Sequence, residues 1–161
     1  MEKCFRILSK SEFDTRNIAK VVSTVFQPGD IVVLEGDLGA GKTHFVKGFA
    51  EGMYSRDLVT SPTFSIANFY RSSSCTLLHI DLYRIETVSE FYDLGLTDYF
   101  DQSIVLIEWG EKFSDCFEKY TLISFELSDN GFRQISFKSI GSIDDSKIDT
   151  IQKKLTESEI C

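Results

Sequence analysis

Gly36-Asp37-Leu38-Gly39-Ala40-Gly41-Lys42-Thr43 decides how this chain is read. It fits the spacing G-x-x-x-x-G-K-[ST] of the phosphate-binding loop. Ahead of it, Ile31-Val32-Val33-Leu34-Glu35 is apolar and β-branched, which predicts a buried strand. Behind it, His44-Phe45-Val46-Lys47-Gly48-Phe49-Ala50 carries apolar residues at helical spacing. Gly39 and Gly41 permit backbone conformations in which successive N–H groups converge on phosphate oxygens. The helix that follows adds the positive end of its dipole. Lys42 offers a compact charge to the β and γ phosphates, and Thr43 a hydroxyl to Mg²⁺. From average residue usage, about 0.5% of chains this long would match by accident, and the strand and helix flanks lower that further. Leu38, Gly39, Ala40, Gly41, Lys42 and Thr43 are therefore the candidate phosphate binders.

Composition sets the class. At 161 residues the chain is expected to form one domain, residues 1–161, long enough for a substantial core. Its 42% apolar and 26% charged content is that of a soluble globular protein, and no apolar run approaches membrane-spanning length. Cys4, Cys75, Cys116 and Cys161 are scattered, and Met1-Glu2-Lys3-Cys4-Phe5-Arg6 lacks the apolar core of a secretory signal. Free thiols in a reducing cytoplasm are the simplest account. His44 and His79 have no Cys at ligand spacing, which argues against zinc. The net charge of −8 argues against free-standing, sequence-independent nucleic-acid binding. It leaves room for a local basic patch, or for action on RNA through a partner.

Working outward, Cys4 to Leu8 reads as a short edge strand. Ser11 is placed to cap a helix whose first turn holds Glu12 and Asp14 and whose apolar face is Phe13, Ile18, Val21, Val22 and Val25. Pro28-Gly29-Asp30 turns the chain into the strand before the loop, and Gly52 is expected to end the helix after it. In Ser61-Pro62-Thr63-Phe64 the proline forces an extended, rigid turn, which reads equally well as a γ-phosphate contact or as a loop-to-strand junction. Phe64 to Tyr70 alternates as a strand, and Ser72-Ser73-Ser74 suits a hairpin into Thr76-Leu77-Leu78-His79-Ile80-Asp81. Val88 to Phe100 reads as a helix broken near Gly95, with Phe91, Leu94, Leu96, Tyr99 and Phe100 toward the core and Glu90 and Asp93 in water. Glu111 to Phe117 is a short helix, Tyr120–Leu127 and Arg133–Phe137 are strands joined at Asp129-Asn130-Gly131, and Asp144 to Leu155 is a terminal helix followed by a frayed end.

Two acids end apolar strands. Ser103-Ile104-Val105-Leu106-Ile107-Glu108 resembles the strand that presents a Mg²⁺-associated carboxylate, with Glu in place of the usual Asp. Asp81 stands in the same relation to its own strand. Glu108 is preferred for the metal, because its strand is the more continuously apolar and so the more central. Trp109 follows it and reads either as a neighbour of the site or as core packing.

With these motifs placed, the chain resembles the TsaE (YjeE) family from about Ser11 to Arg133. The resemblance is carried by the phosphate loop, Ser61-Pro62-Thr63-Phe64, His79-Ile80-Asp81-Leu82-Tyr83-Arg84, Glu90-x-x-x-Leu94-Gly95 and Ile107-Glu108-Trp109. It implies an α/β fold, a P-loop NTPase-like three-layer α/β/α arrangement around a mixed, mostly parallel sheet with antiparallel strands. It implies ATP rather than GTP, a Mg²⁺ site from Thr43 and Glu108, and catalytic roles for Lys42, Asp81 and Glu108. Glu12 and Gly131 would join the nucleotide pocket. The implied function is ATP hydrolysis that supports TsaB and TsaD, which place threonylcarbamoyl on adenosine in tRNAs reading ANN codons; tRNA would be met only through that complex. His44 stands where a second threonine is common, and the late turn reads Gly131-Phe132-Arg133 rather than Gly-Arg, so Arg133 receives no role.

The competing reading is a small-molecule kinase on the same scaffold. Kinases clamp the transferred phosphoryl group with arginines on a closing lid, whereas Arg71, Arg84 and Arg133 are dispersed here. A GTPase would carry an Asn-Lys-x-Asp stretch, which is absent. A nucleotide-binding module without hydrolysis is the third alternative.

Overall fold

The apolar runs of the sequence become the strands of one sheet, and the 3.6-residue patterns become the helices that cover it. The computed structural model describes residues 3–57, 59–60, 66–141 and 146–158. In chain order these form β1 (Cys4–Ser9), α1 (Glu12–Ser23), β2 (Ile31–Glu35), α2 (Lys42–Gly52), β3 (Ala67–Arg71), β4 (Thr76–Asp81) and α3 (Val88–Asp93). A 3-10 helix, Leu96–Gln102, leads into β5 (Ser103–Glu108), and a second, Glu111–Cys116, leads away from it. β6 (Lys119–Leu127), β7 (Arg133–Gly141) and α4 (Ser146–Glu157) complete the chain. The Ser61-Pro62-Thr63-Phe64 turn lies outside the described residues.

Among the described residues the sheet has seven strands in the order β1-β7-β6-β2-β5-β4-β3. The central block β6-β2-β5-β4 is parallel. Both flanks are antiparallel, β1-β7-β6 on one side and the β3–β4 hairpin on the other. The sheet is therefore mixed, as expected, with its parallel pairings concentrated where the loop leaves β2.

Side chains alternate across each strand. On one face Leu34, Leu106, Ile123 and Phe137 pack with Ile18 and Val22 of α1, Phe45 and Phe49 of α2, and Ile148, Ile151 and Leu155 of α4. On the other face Val33, Leu78, Ile80, Val105 and Ile107 pack with Phe91, Phe113 and Phe117. The result is three layers. Burying each of these Phe, Leu or Ile side chains contributes about 1.5–3 kcal/mol of transfer free energy. No helix among the described residues is long and apolar enough to cross a membrane.

Local expectations fare unevenly. Ser11 caps α1, its Oγ accepting from the Asp14 N–H at 3.0 Å. Phe13, assigned to the buried face, is exposed. It lies five residues from Ile18, about 140° round a 3.6-residue helix, so it leaves the stripe formed by Thr15, Ile18, Ala19 and Val22. Tyr99 is likewise exposed, because the segment after Gly95 winds as a 3-10 helix instead of continuing α3. The last helix runs to Glu157, past the expected start of fraying. Gly52 is the last residue of α2, but the left-handed residue that follows is Tyr54, at φ 60°.

Gly48 and Gly52 serve close packing of α2 on α1. A Cβ on Gly48 would stand 2.2 Å from the Arg16 carbonyl oxygen, and one on Gly52 would stand 2.1 Å from Ser23 Oγ. The contact is closed on its rim by Glu51, which pairs with Arg16 and, at 3.1 Å, with Lys20. Gly48→Ala is expected to destabilise the protein. Alanine is the better helix former by about 1 kcal/mol, yet overpacking against an unyielding backbone costs about 1–3 kcal/mol or more. Urea unfolding should show a lower midpoint for the variant; an equal or higher midpoint would mean that the two helices separate without cost.

Candidate functional site

The parallel register delivers the site. β2, β4 and β5 end together, with Asp81 opposite Glu108 and Glu108 opposite Leu34. Ligands of open α/β sheets bind at these carboxyl ends. His79, Asp81 and Glu108 share the face of Leu77 and Leu106, which is the face covered by α2. The loop leaving β2 therefore brings Lys42 and Thr43 down beside both carboxylates.

Gly39 and Gly41 adopt φ of 79° and 105°, the left-handed region that a side chain strains. Gly41 is the N-cap of α2, and no side chain caps the helix. No acid lies in its first turn. The first N–H groups of an eleven-residue helix thus face the pocket as anion donors.

The pocket measures about 300 Å³. Of the residues expected from sequence, Glu12, Leu38, Gly39, Gly41, Lys42, Thr43, Asp81 and Glu108 line it together. Ala40 and Gly131 do not. The Ala40 N–H closes the loop onto the Asp37 carbonyl at 3.0 Å, and its methyl group is buried in the core. Gly131 takes φ 81° to form the β6–β7 turn, where its N–H donates to the Ser128 carbonyl. A wider hollow of about 780 Å³ lies across the loop, walled by Glu35, Asp37 and Glu126 with no Lys or Arg. That wall disfavours phosphate, which makes the smaller pocket the candidate anion site.

Three further residues line the pocket: Arg133 and His44, to which the sequence gives no place in it, and Trp109, for which it leaves site neighbour and core packing open. Arg133 extends from the start of β7 until its side chain lies against Gly41; a Cβ there would stand 2.9 Å from Arg133 Nε. This is long-range packing, invisible to local pattern. His44 meets Glu12 at 3.2 Å, at the contact of α1 with α2. Trp109 is held at φ 61°, in the left-handed region. A bulky residue there stores about 1–3 kcal/mol. Its indole lies 4.2 Å from Lys42 Nζ and meets Tyr83 edge to face. Trp109 is thus a wall of the pocket. Arg84, at the end of the His79-to-Arg84 motif, is exposed and does not line the pocket.

Lys42 is buried and donates to the Gly36 carbonyl at 2.6 Å. Glu108 is buried and accepts from His79 Nε2 at 2.9 Å. Burial pushes the Asp81 carboxyl above its ordinary range. The Tyr83 N–H, donating at 3.0 Å, opposes that; the Glu108 charge adds to it; Lys42 opposes it. Two carboxylates in register beside a hydroxyl form an all-oxygen donor set that suits a hard divalent cation. A cation would relieve the repulsion between them.

Comparisons with known proteins converge on one family. A family model described as "Threonylcarbamoyl adenosine biosynthesis protein TsaE" matches residues 9–135. The tRNA threonylcarbamoyladenosine biosynthesis protein TsaE of Bacillus subtilis is 42% identical over 131 residues, 80% of this chain and 82% of the relative. The Treponema pallidum protein of the same name is 38% identical over 133 residues, 81% of this chain and 98% of the relative. The crystal structure of Bacillus subtilis YdiB superposes with a TM-score of 0.81 at 31% identity, covering 95% of this chain and 97% of that one.

The raised Asp81 pKa has a consequence for stability. A carboxyl whose folded pKa exceeds its unfolded value binds protons more readily when folded, so its contribution improves as pH falls through the folded pKa. Around neutral pH the ionised group is a cost. Asp81→Asn is expected to raise the melting temperature of the ligand-free protein at neutral pH, with the advantage shrinking toward the ordinary carboxylate range. Thermal unfolding across that range tests it; an equal or lower neutral melting temperature for the variant would contradict it.

Proposed function

The chain belongs to the TsaE family, and from that premise we propose that it is a Mg²⁺-dependent ATP hydrolase acting in the biosynthesis of threonylcarbamoyladenosine in tRNA. The observation that carries the hydrolase reading is the convergence of Lys42, Thr43, Asp81, Glu108 and Arg133 in one pocket at the N-terminus of α2. The proposed partners are TsaB and TsaD, and tRNA is met through them.

The phosphate chain of ATP would lie across the N–H groups of Gly39, Gly41 and the first turn of α2. Lys42 would exchange the Gly36 carbonyl for phosphate oxygens, a charge-assisted bond about twice as strong as a neutral one. The Thr43 hydroxyl and the Glu108 carboxylate would hold Mg²⁺, which supplies charge neutralisation between the phosphates when bound. Asp81 would act one position out, orienting water or the Tyr83 backbone that it already accepts from. Arg133, against Gly41, is the cation in position to meet charge developing on the phosphates, a role that in other nucleotide hydrolases multiplies rates by about 10³–10⁵. Glu108 would be committed to the metal and Glu12 meets His44, so among the described pocket carboxylates Asp81 is the one left to activate water. That supports slow turnover by the chain alone.

Three outcomes are expected. Lys42→Ala should abolish ATP turnover while the circular dichroism spectrum is retained; undiminished turnover would remove the site assignment. In a Mg²⁺ titration at fixed nucleotide, Glu108→Ala should show the larger defect and Asp81→Ala the smaller, and the reverse order would exchange their roles. Addition of TsaB and TsaD together should accelerate hydrolysis, and Arg133→Ala should reduce both the basal and the stimulated rate. Fast turnover indifferent to the partners would favour a self-sufficient phosphoryl transferase instead.

A further inference from the structure

We propose that His79 is a positioning residue for the Glu108 carboxylate, fixing which of its oxygens faces the pocket. The inference rests on the reading of Glu108 as a Mg²⁺ ligand. His79 sits inside the apolar run Leu77-Leu78-His79-Ile80 on β4, 0% exposed, where a β-branched or leucine side chain would fill the space. A polar group is costly there unless it is bonded. Among the described residues its one hydrogen bond is from Nε2 to Glu108 Oε2, at 2.9 Å. Among the described residues Nδ1 has no hydrogen-bond partner. A hydrogen on Nε2 is the one the Glu108 carboxylate can accept, and a bare Nδ1 lone pair costs less there than a buried, unbonded N–H would.

The geometry explains what the bond does. Glu108 is the last residue of β5, with three side-chain torsions and a buried carboxylate. A free glutamate at a strand end would rotate, presenting either oxygen or neither. His79, on the neighbouring strand and the same face, pins Oε2 from the sheet side. Oε1 is left as the oxygen directed to the pocket that Glu108 lines. The pinning group is itself rigid, because β4 is paired on both sides and the ring is enclosed by core. Partners of this kind, which orient a ligating group from behind, typically govern about 10–100-fold in metal affinity.

The experiment measures ADP affinity by calorimetry across a Mg²⁺ series, and again in chelator. For His79→Leu the Mg²⁺ concentration at half-effect should rise roughly 10–100-fold, with affinity in chelator unchanged. His79→Gln, whose amide can donate from near the Nε2 position, should recover most of the shift. A His79→Leu protein that melts at lower temperature but keeps the wild-type Mg²⁺ midpoint would show a packing role only and overturn the inference, as would a glutamine variant no better than leucine. Glu108→Gln, run in parallel, separates the two readings. If Glu108→Gln shifts the midpoint and His79→Leu does not, positioning fails and the ligand assignment stands; if neither shifts it, both fail. Should His79→Leu not fold, the wild-type protein decides: adding Mg²⁺ to the ADP-bound protein should move the His79 ring ¹⁵N resonances, and resonances that stay in place would overturn the proposal.

Discussion

The parallel register of β4, β5 and β2 is the constraint on which the rest depends. It places Asp81 beside Glu108 and Glu108 beside Leu34, one residue before β2 gives way to the loop. Parallel strands buried on both faces must be largely apolar, and β2, β4 and β5 keep to that apart from His79 and the first and last residues. The polar groups appear where the sheet stops. A slip of one residue in any of these pairings would turn its side chains to the opposite face, and Glu108 would then point away from α2. The site's precision is thus a property of the sheet before it is a property of the loop.

Against that frame of strands, the α2 side of the sheet contributes fit. Gly48 and Gly52 let α1 approach until backbone meets backbone, and this carries Glu12, at the first turn of α1, to the pocket rim beside His44. Trp109 contributes in another way. Its left-handed backbone turns the chain sharply after Glu108 and lays the indole over Lys42. Strain of about 1–3 kcal/mol at such a point is affordable only where the surroundings hold it, and here Lys42 and Tyr83 do so.

Much of this was legible in the residues, and the failures share a cause. The strand, loop and helix around Gly36–Thr43, the apolar β5 ending in Glu108 and the hairpin at Gly131 announce themselves through local spacing. A local pattern does not carry a side chain's reach across the fold. Arg133 belongs to the pocket because β7 lies beside β6 and its guanidinium crosses to Gly41, ninety-two positions earlier in the chain. His79 reads from sequence as one polar position in a strand, and only the β4–β5 pairing shows that it holds Glu108. Phe13 misled by its chemistry, since an aromatic near a helix start reads as core until the angle around the helix is counted. Gly52 misled by its usual role, because an end-of-helix glycine invites a conformational reading where the need is for space.

The placement of β7 between β1 and β6 bears on how the chain acquires this structure as it is made. Of the seven described strands β1 is made first, yet within that sheet it pairs with β7, made last of the seven. Until then its backbone donors and acceptors form an open edge, the kind that recruits other chains. Arg133, at the head of β7, arrives in the same event. Completion of the pocket and closure of the vulnerable edge therefore coincide. A nucleotide that bound the finished pocket and not the unfinished chain would draw the population toward the completed sheet by mass action. The ligand would then serve the newborn protein as a folding aid before it serves as a substrate.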